Sequence, residues 1–301
     1  MTDSYIHVSI SAFLSELRGV KRYSDNTVNA YRRDLEQFLN FCESKNISDP
    51  SKVSEKNIRL FIMELNDSEV KLTKSSISRK LSAIRGFFDY LVKNEIIESN
   101  PVKNIPNPKS SRKLPETINV DYFSEIYRFI DEENNSDKAK LLKAIFELLY
   151  GCALRVSELC NLNIRDVDFG VNSMRILGKG AKVRIVPIAD KSLEVLRDYL
   201  NTRGSRPAPD DPLFFTPTGN RIYPRFVQHV VKKYIGKVSD ISKKSPHVLR
   251  HSAATHMLDN GADLMAVKEI LGHENLSTTQ IYTHVSVERL KQSYKKAHPK
   301  S

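Results

Sequence analysis

The sequence has few cysteines and no long apolar segment. Its three cysteines, Cys42, Cys152 and Cys160, form no C-x-x-C pair, which argues against both a disulfide framework and a structural zinc site. No uninterrupted apolar run approaches the roughly 20 residues that a membrane-spanning helix needs. The N-terminus carries Asp3 and Glu16 instead of a basic segment followed by a clean apolar one, so no secretory signal is predicted. We therefore expect reduced, buried thiols in a cytoplasmic protein.

Basic residues outnumber acidic ones. The 301 residues include 47 lysines and arginines against 36 aspartates and glutamates, which gives a net charge of +11. Such a balance favours a polyanionic partner, DNA or RNA. The competing partner is an anionic membrane, and we predict no membrane association because nothing in the sequence spans a bilayer. A chain of this length has room for two domains, each with its own core.

Residues 1–98 are predicted to form a helical domain. Apolar residues recur at spacings of three and four from Val28 to Cys42, behind a capping cluster at 24–26. Further helices are predicted near residues 8–18, after Ser54, and around an apolar stripe from Ile77 to Leu91. These segments predict four helices.

The last of these helices has a second face made of small or basic residues. These are Ser75, Ser78, Arg79, Ser82 and Arg85. Small side chains let a helix backbone approach phosphates closely, so we predict that Ser75, Arg79, Ser82 and Arg85 contact DNA. An ordinary solvated helix face is the alternative.

Residues 99–114 are proline-rich and basic and have no helical period, which predicts a linker. A basic linker between two basic domains would let them close on DNA from two sides.

The second domain, residues 115–301, is predicted to be mostly helical with one β-hairpin. The β-branched runs M-R-I-L and V-R-I-V-P-I flank the glycine-containing turn G-K-G-A-K. Lys179 lies at the tip of this turn. A lone lysine in a turn is most often a solubilising surface residue. Lys179 is therefore a candidate catalytic residue only in combination with the other candidate residues of this domain.

A helix start at Ser245 and Pro246 leads into P-H-V-L-R-H-S-A-A-T-H-M-L. The helical spacing places His247, Arg250 and His251 on one stripe. His247 and His251 have the spacing of zinc ligands, but the H-E-x-x-H glutamate is missing and no nearby Cys, Asp or Glu completes a tetrahedral set. We therefore predict no metal and no other cofactor.

Two further helices follow closely. Asp263 is predicted to begin one of them and Gly272 to end it, with His273 immediately after. A capping box at 277–280 places Tyr282 in the opening turns of the next helix. The alternative is a non-enzymatic helix-turn-helix regulator, in which Tyr282 only contacts DNA.

The residue types in these segments suit metal-free phosphodiester chemistry. Fixed guanidiniums, here Arg155 and Arg250, stabilise the charge that develops on phosphate oxygens. A tyrosine phenol, with a pKa of about 10, needs a base and cationic surroundings to attack, which His247 and the arginines can supply. The 5′ oxygen needs a proton to leave, and Lys179 is a suitable acid.

The motifs together resemble those of the tyrosine recombinases, the phage integrase family, and within it the bacterial Xer group. The resemblance covers nearly the whole chain. It is carried by G-C-A-L-R-V-S-E-L at 151–159, I-L-G-K-G-A-K-V-R-I-V-P-I at 176–188, S-P-H-V-L-R-H-S-A-A-T-H at 245–256 and L-G-H-E-N-L-S-T-T-Q-I-Y-T-H-V at 271–285.

This resemblance implies a mainly α fold with a small β-hairpin or sheet. An N-terminal four-helix SAM-like core-binding domain would precede an α+β catalytic domain. The implied catalytic residues are Arg155, Lys179, His247, Arg250, His273 and the nucleophile Tyr282. Glu158 would support the active-site histidine. The implied reaction forms a 3′-phosphotyrosyl intermediate that conserves bond energy, so it needs neither metal nor ATP.

The resemblance also implies partners. Family members join four protomers on two double-stranded DNA duplexes, and each C-terminal helix docks on a neighbour. An apolar stripe of Val287, Leu290 and Tyr294 suits such docking, and packing back onto its own domain is the alternative.

Resolution of chromosome dimers at a dif-type site, with a possible second Xer recombinase and a septal DNA translocase, is implied for the Xer group. The compact N-terminal domain, with no arm-binding segment ahead of it, favours this group over phage-type integrases, and a mobile-element integrase of the same family is the alternative.

Overall fold

The computed structural model describes residues 5–20, 23–67, 72–108, 116–178, 182–204, 207–272 and 297. The chain forms two compact units, Met1–Lys113 and Leu114–Ser301. The fold is mainly helical with one small antiparallel sheet, which confirms the predicted fold class. Among the described residues, no helix is long and apolar enough to cross a membrane.

The described part of the first unit contains the four predicted helices. They are α1 (Tyr5–Gly19), α2 (Asp25–Ser44), α3 (Glu55–Asp67) and α4 (Lys74–Lys93). The predicted start of α2 is confirmed, because the Ser24 hydroxyl accepts a hydrogen bond from the Thr27 backbone N–H at 3.3 Å. The apolar faces of the helices meet in one core, where Phe38 packs edge-on against Phe61 and Phe88.

The segment predicted to be a linker from residue 99 contributes to this core. Val102 and Ile105 are 0% and 4% exposed. The Asn100 side chain donates to the Asp89 carboxylate at 2.7 Å, and Arg85 donates to the Ile105 carbonyl at 2.8 Å. The first unit therefore extends past the predicted end at residue 98. Prolines remove the helical period here, but the turn they form still packs two apolar side chains.

The second unit contains a short π-helical turn and several helices around one core. Within the described residues its helices are α5 (Asp121–Asp131), α6 (Ser136–Phe146), α7 (Val156–Asn161), α8 (Asp190–Asn201), α9 (Pro224–Val238), α10 (Pro246–Asp259) and α11 (Leu264–Leu271). All three cysteines of the chain are free and buried, as predicted. Cys152 and Cys160 belong to this core.

The sheet of the second unit has the order β1 (Val167–Asp168), β2 (Ser173–Leu177) and β3 (Val183–Pro187), and both pairs are antiparallel. Strands β2 and β3 form the predicted hairpin. Strand β1 was not predicted, because two residues are too short to show the alternation of a strand.

The segment that leads to α7 has an irregular backbone. Helix α6 continues into a buried π-helical turn, Glu147–Gly151, where Glu147 accepts hydrogen bonds from the Tyr127 and Ser192 hydroxyls. Two residues later Ala153 has a φ of 50°, a left-handed conformation that costs a residue with a Cβ about 1 kcal/mol. The chain is thus turned sharply just before Arg155.

Candidate active site

Arg155 is held by its own helix. It directly precedes α7, and its backbone N–H donates to Glu158 Oε2 at 2.8 Å. Its Nη1 donates to Glu158 Oε1 at 2.7 Å, and its Nη2 donates to the Gly272 carbonyl at 3.3 Å. The side chain is 34% exposed, so the guanidinium is fixed by protein acceptors and still accessible to a ligand.

Arg250 is almost fully buried on α10. This helix begins at Pro246 with Ser245 as its N-cap residue, as predicted. Arg250 donates from Nη1 to the Ala153 carbonyl and from Nη2 to the Leu271 carbonyl. Burial, followed by repulsion from Arg155, lowers the pKa of Arg250 to about 10, which still leaves it charged at neutral pH.

The other predicted residue of α10, His247, lies one turn before Arg250 and is exposed. In the first turn of the helix, its imidazole is accessible to solvent, and its role as a base stays a prediction.

The Glu158 carboxylate lies between three arginine side chains. Besides Arg155, it accepts two hydrogen bonds from Arg184, Nη1 to Oε1 and Nη2 to Oε2, both at 2.8 Å. Arg250 Nη1 lies 3.7 Å from Glu158 Oε2. Burial alone would raise the pKa of Glu158, but the hydrogen bonds and charges of Arg184 and Arg155 outweigh it and lower the pKa to about 2. Glu158 is therefore ionised at neutral pH.

The role expected for Glu158 stays a prediction. The family resemblance implied that Glu158 supports the active-site histidine, and His273 lies outside the described residues; in the described part of the chain Glu158 contacts arginines. A carboxylate has two oxygens that can each accept from more than one N–H group, and three guanidiniums within 4 Å occupy them.

Arg184 is a site residue that the sequence analysis missed. It lies in β3, a β-branched run whose arginine was given no role. The burial of β3 alternates, and Arg184 occupies a buried position on the same face as Val186. A charged residue at an inward position of an apolar strand needs an acidic partner. The arginine within the β-branched run was therefore the signal in the sequence that could have identified this site residue.

Three predicted catalytic residues, Lys179, His273 and Tyr282, lie outside the described residues. The described residues beside two of them agree with the predicted elements. Gly178 donates to the Lys182 carbonyl at 2.7 Å at the base of the hairpin loop. Gly272 ends α11 with a φ of 62°, and Asp263 caps the start of that helix.

The C-terminal stripe of Val287, Leu290 and Tyr294 also lies outside the described residues. Further along, Ala297 is described: it is 2% exposed, and the Asn260 side chain donates to its carbonyl at 3.0 Å. At this residue the tail packs on its own unit.

The face of α4 predicted to contact DNA is partly occupied by intramolecular contacts. Arg79 donates to the buried Asp34 carboxylate, which Lys80 also contacts at 2.8 Å. Arg85 donates to the Ile105 carbonyl, and the Ser82 hydroxyl donates to the carbonyl of Ser78. Ser75, in the first turn of α4, is exposed. The contact of these residues with DNA stays a prediction.

A helical unit followed by a unit that fixes arginines around one carboxylate, with one guanidinium still accessible, suits one class of protein, the enzymes that act on nucleic-acid phosphodiesters. Comparison with known proteins narrows the class. The model of the phage integrase family matches residues 118–289, and that of the N-terminal SAM-like domain of phage integrases matches residues 10–95.

Known relatives share most of the chain. It is 40% identical to the tyrosine recombinase XerC of Pelobacter propionicus, over 97% of this chain and 95% of that protein. It is 37% identical to XerC of Chlorobaculum parvum, over 96% of this chain and 94% of that protein. A solved structure of the XerH site-specific recombinase bound to a palindromic difH substrate has a TM-score of 0.71 and 25% identity, with coverage of 94% of this chain and 83% of that one.

The chain therefore belongs to the phage integrase family, the tyrosine recombinases. It is an enzyme of site-specific recombination.

Proposed function

We propose that this recombinase cuts and rejoins double-stranded DNA through a 3′-phosphotyrosyl intermediate on Tyr282. The observation that carries the proposal is the fixed position of Arg155 and Arg250, which the protein's own acceptors hold beside Glu158. Guanidiniums that are fixed before the reaction stabilise the developing charge without reorganising.

The charge of the arginine cluster suits a phosphodiester. Arg155, Arg184 and Arg250 lie within 4 Å of a single carboxylate, Glu158, so three positive charges face one negative charge. The excess positive charge matches a phosphodiester, whose negative charge grows when a nucleophile adds to phosphorus. The accessible guanidinium of Arg155 is the contact point we assign to the scissile phosphate.

The proposed reaction combines a displacement at phosphorus with two proton transfers. The Tyr282 oxygen forms a bond to phosphorus while the bond to the 5′ oxygen breaks. His247 accepts the phenol proton, and Lys179 gives a proton to the departing 5′ oxygen, with His273 hydrogen-bonding the phosphate. A 5′ hydroxyl of the exchanged strand then attacks the phosphotyrosine and restores Tyr282. The bonds broken and formed are equivalent, so the exchange consumes no ATP. The guanidiniums and Lys179 would supply the charge stabilisation and the acid that a metal ion provides in other phosphodiester enzymes.

We propose resolution of chromosome dimers at a dif-type site as the biological role, carried out in the cytoplasm. The XerC relatives and the likeness to XerH on a difH substrate support this assignment. By the same resemblance, four protomers act on two duplexes, with a second Xer recombinase and a septal DNA translocase as possible partners. Integration of a mobile element is the alternative within the family.

A nicked suicide duplex tests the proposed chemistry. The wild-type protein is incubated with a duplex carrying a dif-type site, in EDTA, and assayed for a protein–DNA adduct that survives SDS. We expect an adduct whose nucleotide remnant maps by mass spectrometry to Tyr282, with Tyr282→Phe as the blank. A remnant on Tyr223 or Tyr294 would move the nucleophile.

Site-dependent binding without any adduct, with a candidate second recombinase present, would contradict the proposed covalent step through Tyr282. Adduct formation on a mobile-element junction but not on a dif-type duplex would favour the integrase alternative.

The α4 face offers a separate test of DNA contact. Ser75→Glu places a negative charge in the first turn of α4, where it suits the helix dipole but opposes a phosphate. We expect the affinity for a labelled duplex to fall about tenfold, or about 1.4 kcal/mol, in fluorescence anisotropy at fixed salt.

Ser136→Glu is the matched control, because Ser136 is also exposed and begins the first turn of α6. It adds the same charge to the protein and should change affinity less than about twofold. Equal affinities for the two variants would remove this face of α4 from the DNA contact.

A further inference from the structure

Arg184 is the most deeply buried cation near the proposed site. It is 5% exposed, and three of its N–H groups have protein acceptors. Nε donates to the Ile270 carbonyl at 2.8 Å, and Nη1 and Nη2 donate to the two oxygens of Glu158, also at 2.8 Å. With its guanidinium occupied in this way, Arg184 is placed to hold other groups and not to bind substrate.

The turn after α11 lies directly on Arg184. A Cβ added at Gly272 would come within 3.0 Å of Arg184 Cδ and 3.3 Å of its Nε and Nη1. Gly272 has a φ of 62°, which favours glycine for a second reason. Gly272, the residue that precedes His273, therefore packs closely against the Arg184 side chain.

Arg184 also contacts the carboxylate that holds Arg155. Glu158 Oε1 accepts from Arg155 Nη1 at 2.7 Å and from Arg184 Nη1 at 2.8 Å. Because Arg184 binds both oxygens of Glu158, it fixes the plane of the carboxylate. Arg155 takes its position from that plane and from the carbonyl of Gly272, a residue whose Cα faces the Arg184 side chain.

The hairpin completes the arrangement. Arg184 lies on β3, a few residues after the loop that carries Lys179, and a Cβ added at Gly178 would be 3.7 Å from Arg184 Nη1. One buried side chain thus lies beside the residues that precede Lys179 and His273 and, through Glu158, is linked to the side chain of Arg155.

We infer that Arg184 is a positioning residue for strand cleavage, which aligns Arg155 through Glu158 and seats the turn that leads to His273. This inference rests on the proposed function, since it concerns the geometry of the same site. Arg184 acts on the reaction without touching the phosphate, because its donors are directed at Glu158 and Ile270.

The test separates cleavage from binding. Arg184→Lys keeps the charge but cannot supply three directed N–H groups to Ile270 and Glu158. We expect its single-turnover rate of adduct formation at saturating suicide duplex to fall about tenfold, because small displacements of catalytic groups are costly. The Kd for DNA should stay within about twofold of wild type, since phosphate contacts elsewhere set the affinity.

Arg203→Lys is the matched control. Arg203 is also mostly buried, with a 12% exposed side chain, and donates to the Pro212 carbonyl at 2.9 Å, but it contacts none of these site residues in the described structure. Its variant should cleave at the wild-type rate. If the ammonium of Arg184→Lys prevents folding, the same cleavage and binding measurements are made on Arg184→Met, which fills most of the same space with an apolar side chain.

A double-mutant cycle provides a result that loss of stability alone would not give. If Arg184 acts through Arg155, Arg184→Lys should cost much less in an Arg155→Lys background than in the wild type. Equal losses in both backgrounds, or wild-type cleavage by folded Arg184→Lys, would overturn the inference and leave the proposed function intact. No adduct from the wild type, with candidate partners present, would overturn both.

Discussion

Replacing Arg250 by lysine should lower the rate of adduct formation by about 10²–10³-fold at saturating DNA, the usual cost of losing one preorganised donor at a developing oxyanion. Arg250 donates from Nη1 to the Ala153 carbonyl and from Nη2 to the Leu271 carbonyl. These two bonds use only part of its set of five N–H groups. A lysine has a single nitrogen, which cannot hold both carbonyls and still present a directed N–H to phosphate.

The expected stability change is smaller than the kinetic one. A buried carbonyl left without a donor costs about 1–3 kcal/mol, so Arg250→Lys should remain folded with a lowered Tm. DNA affinity should change by less than about threefold, because the exposed arginines and lysines of the chain dominate phosphate contact. Single-turnover suicide cleavage, anisotropy and thermal denaturation measure the three effects separately.

Arg203→Lys again serves as the control for an arginine-to-lysine change at a mostly buried site. Near-wild-type cleavage by Arg250→Lys would show that charge alone suffices and would contradict the fixed-guanidinium mechanism. A parallel loss of DNA affinity and cleavage would instead make Arg250 a binding residue.

The helices and their ends were predictable because the signals are local. Apolar spacing located α2 and α4, Ser24 and Asp263 each cap a helix start, and Gly272 ends α11 in the left-handed conformation that glycine favours. The hairpin was predictable for the same reason, since two β-branched runs flank one turn. Each of these features depends on residues close together in the sequence.

The contacts that fix the site were not predictable in this way. Arg184 meets Glu158 from 26 residues away, and Arg250 meets the Ala153 carbonyl from 97 residues away. The left-handed φ of Ala153 has no glycine or asparagine to signal it. The motifs identified Arg155, Arg250 and Glu158, but the approach of Arg184 and Arg250 to this carboxylate depends on tertiary packing.

Glu158→Gln is expected to have the largest effect on stability, a loss of about 3–5 kcal/mol at neutral pH, as when one partner of a buried ion pair is removed. The side chain is 4% exposed and lies within 4 Å of three guanidiniums. The amide has nearly the same shape, but it carries no charge and presents N–H groups to donors. The guanidiniums of Arg184 and Arg250 would then repel each other in a buried site. Urea denaturation measures the loss.

The pH dependence gives this prediction a second measurement. The pKa of Glu158 is lowered from its ordinary value of 4.5 to about 2 in the folded protein, despite the opposing effect of burial. Its contribution to stability is therefore complete above pH 4.5 and is lost as the pH falls from 4.5 towards 2. The difference in unfolding free energy between wild type and Glu158→Gln should be constant near neutrality and shrink in acid.

Glu133→Gln is the matched control for the loss of a hydrogen-bonded carboxylate. Glu133 contacts Lys138 and Lys233 at 2.6 and 2.7 Å, and its pKa is also lowered to about 2, by hydrogen bonds from Lys138, Lys233 and Tyr234. Its lysine partners are 39% and 44% exposed, so water can solvate them once the carboxylate is gone.

We therefore expect a smaller loss of stability for Glu133→Gln than for Glu158→Gln, and no loss of cleavage rate in the folded protein. Only Glu158→Gln should lower both, because it alone releases Arg155 from its fixed position. Wild-type stability of Glu158→Gln at neutral pH would show that the arginines are held without this carboxylate. The preorganised phosphate site would then need a different physical basis.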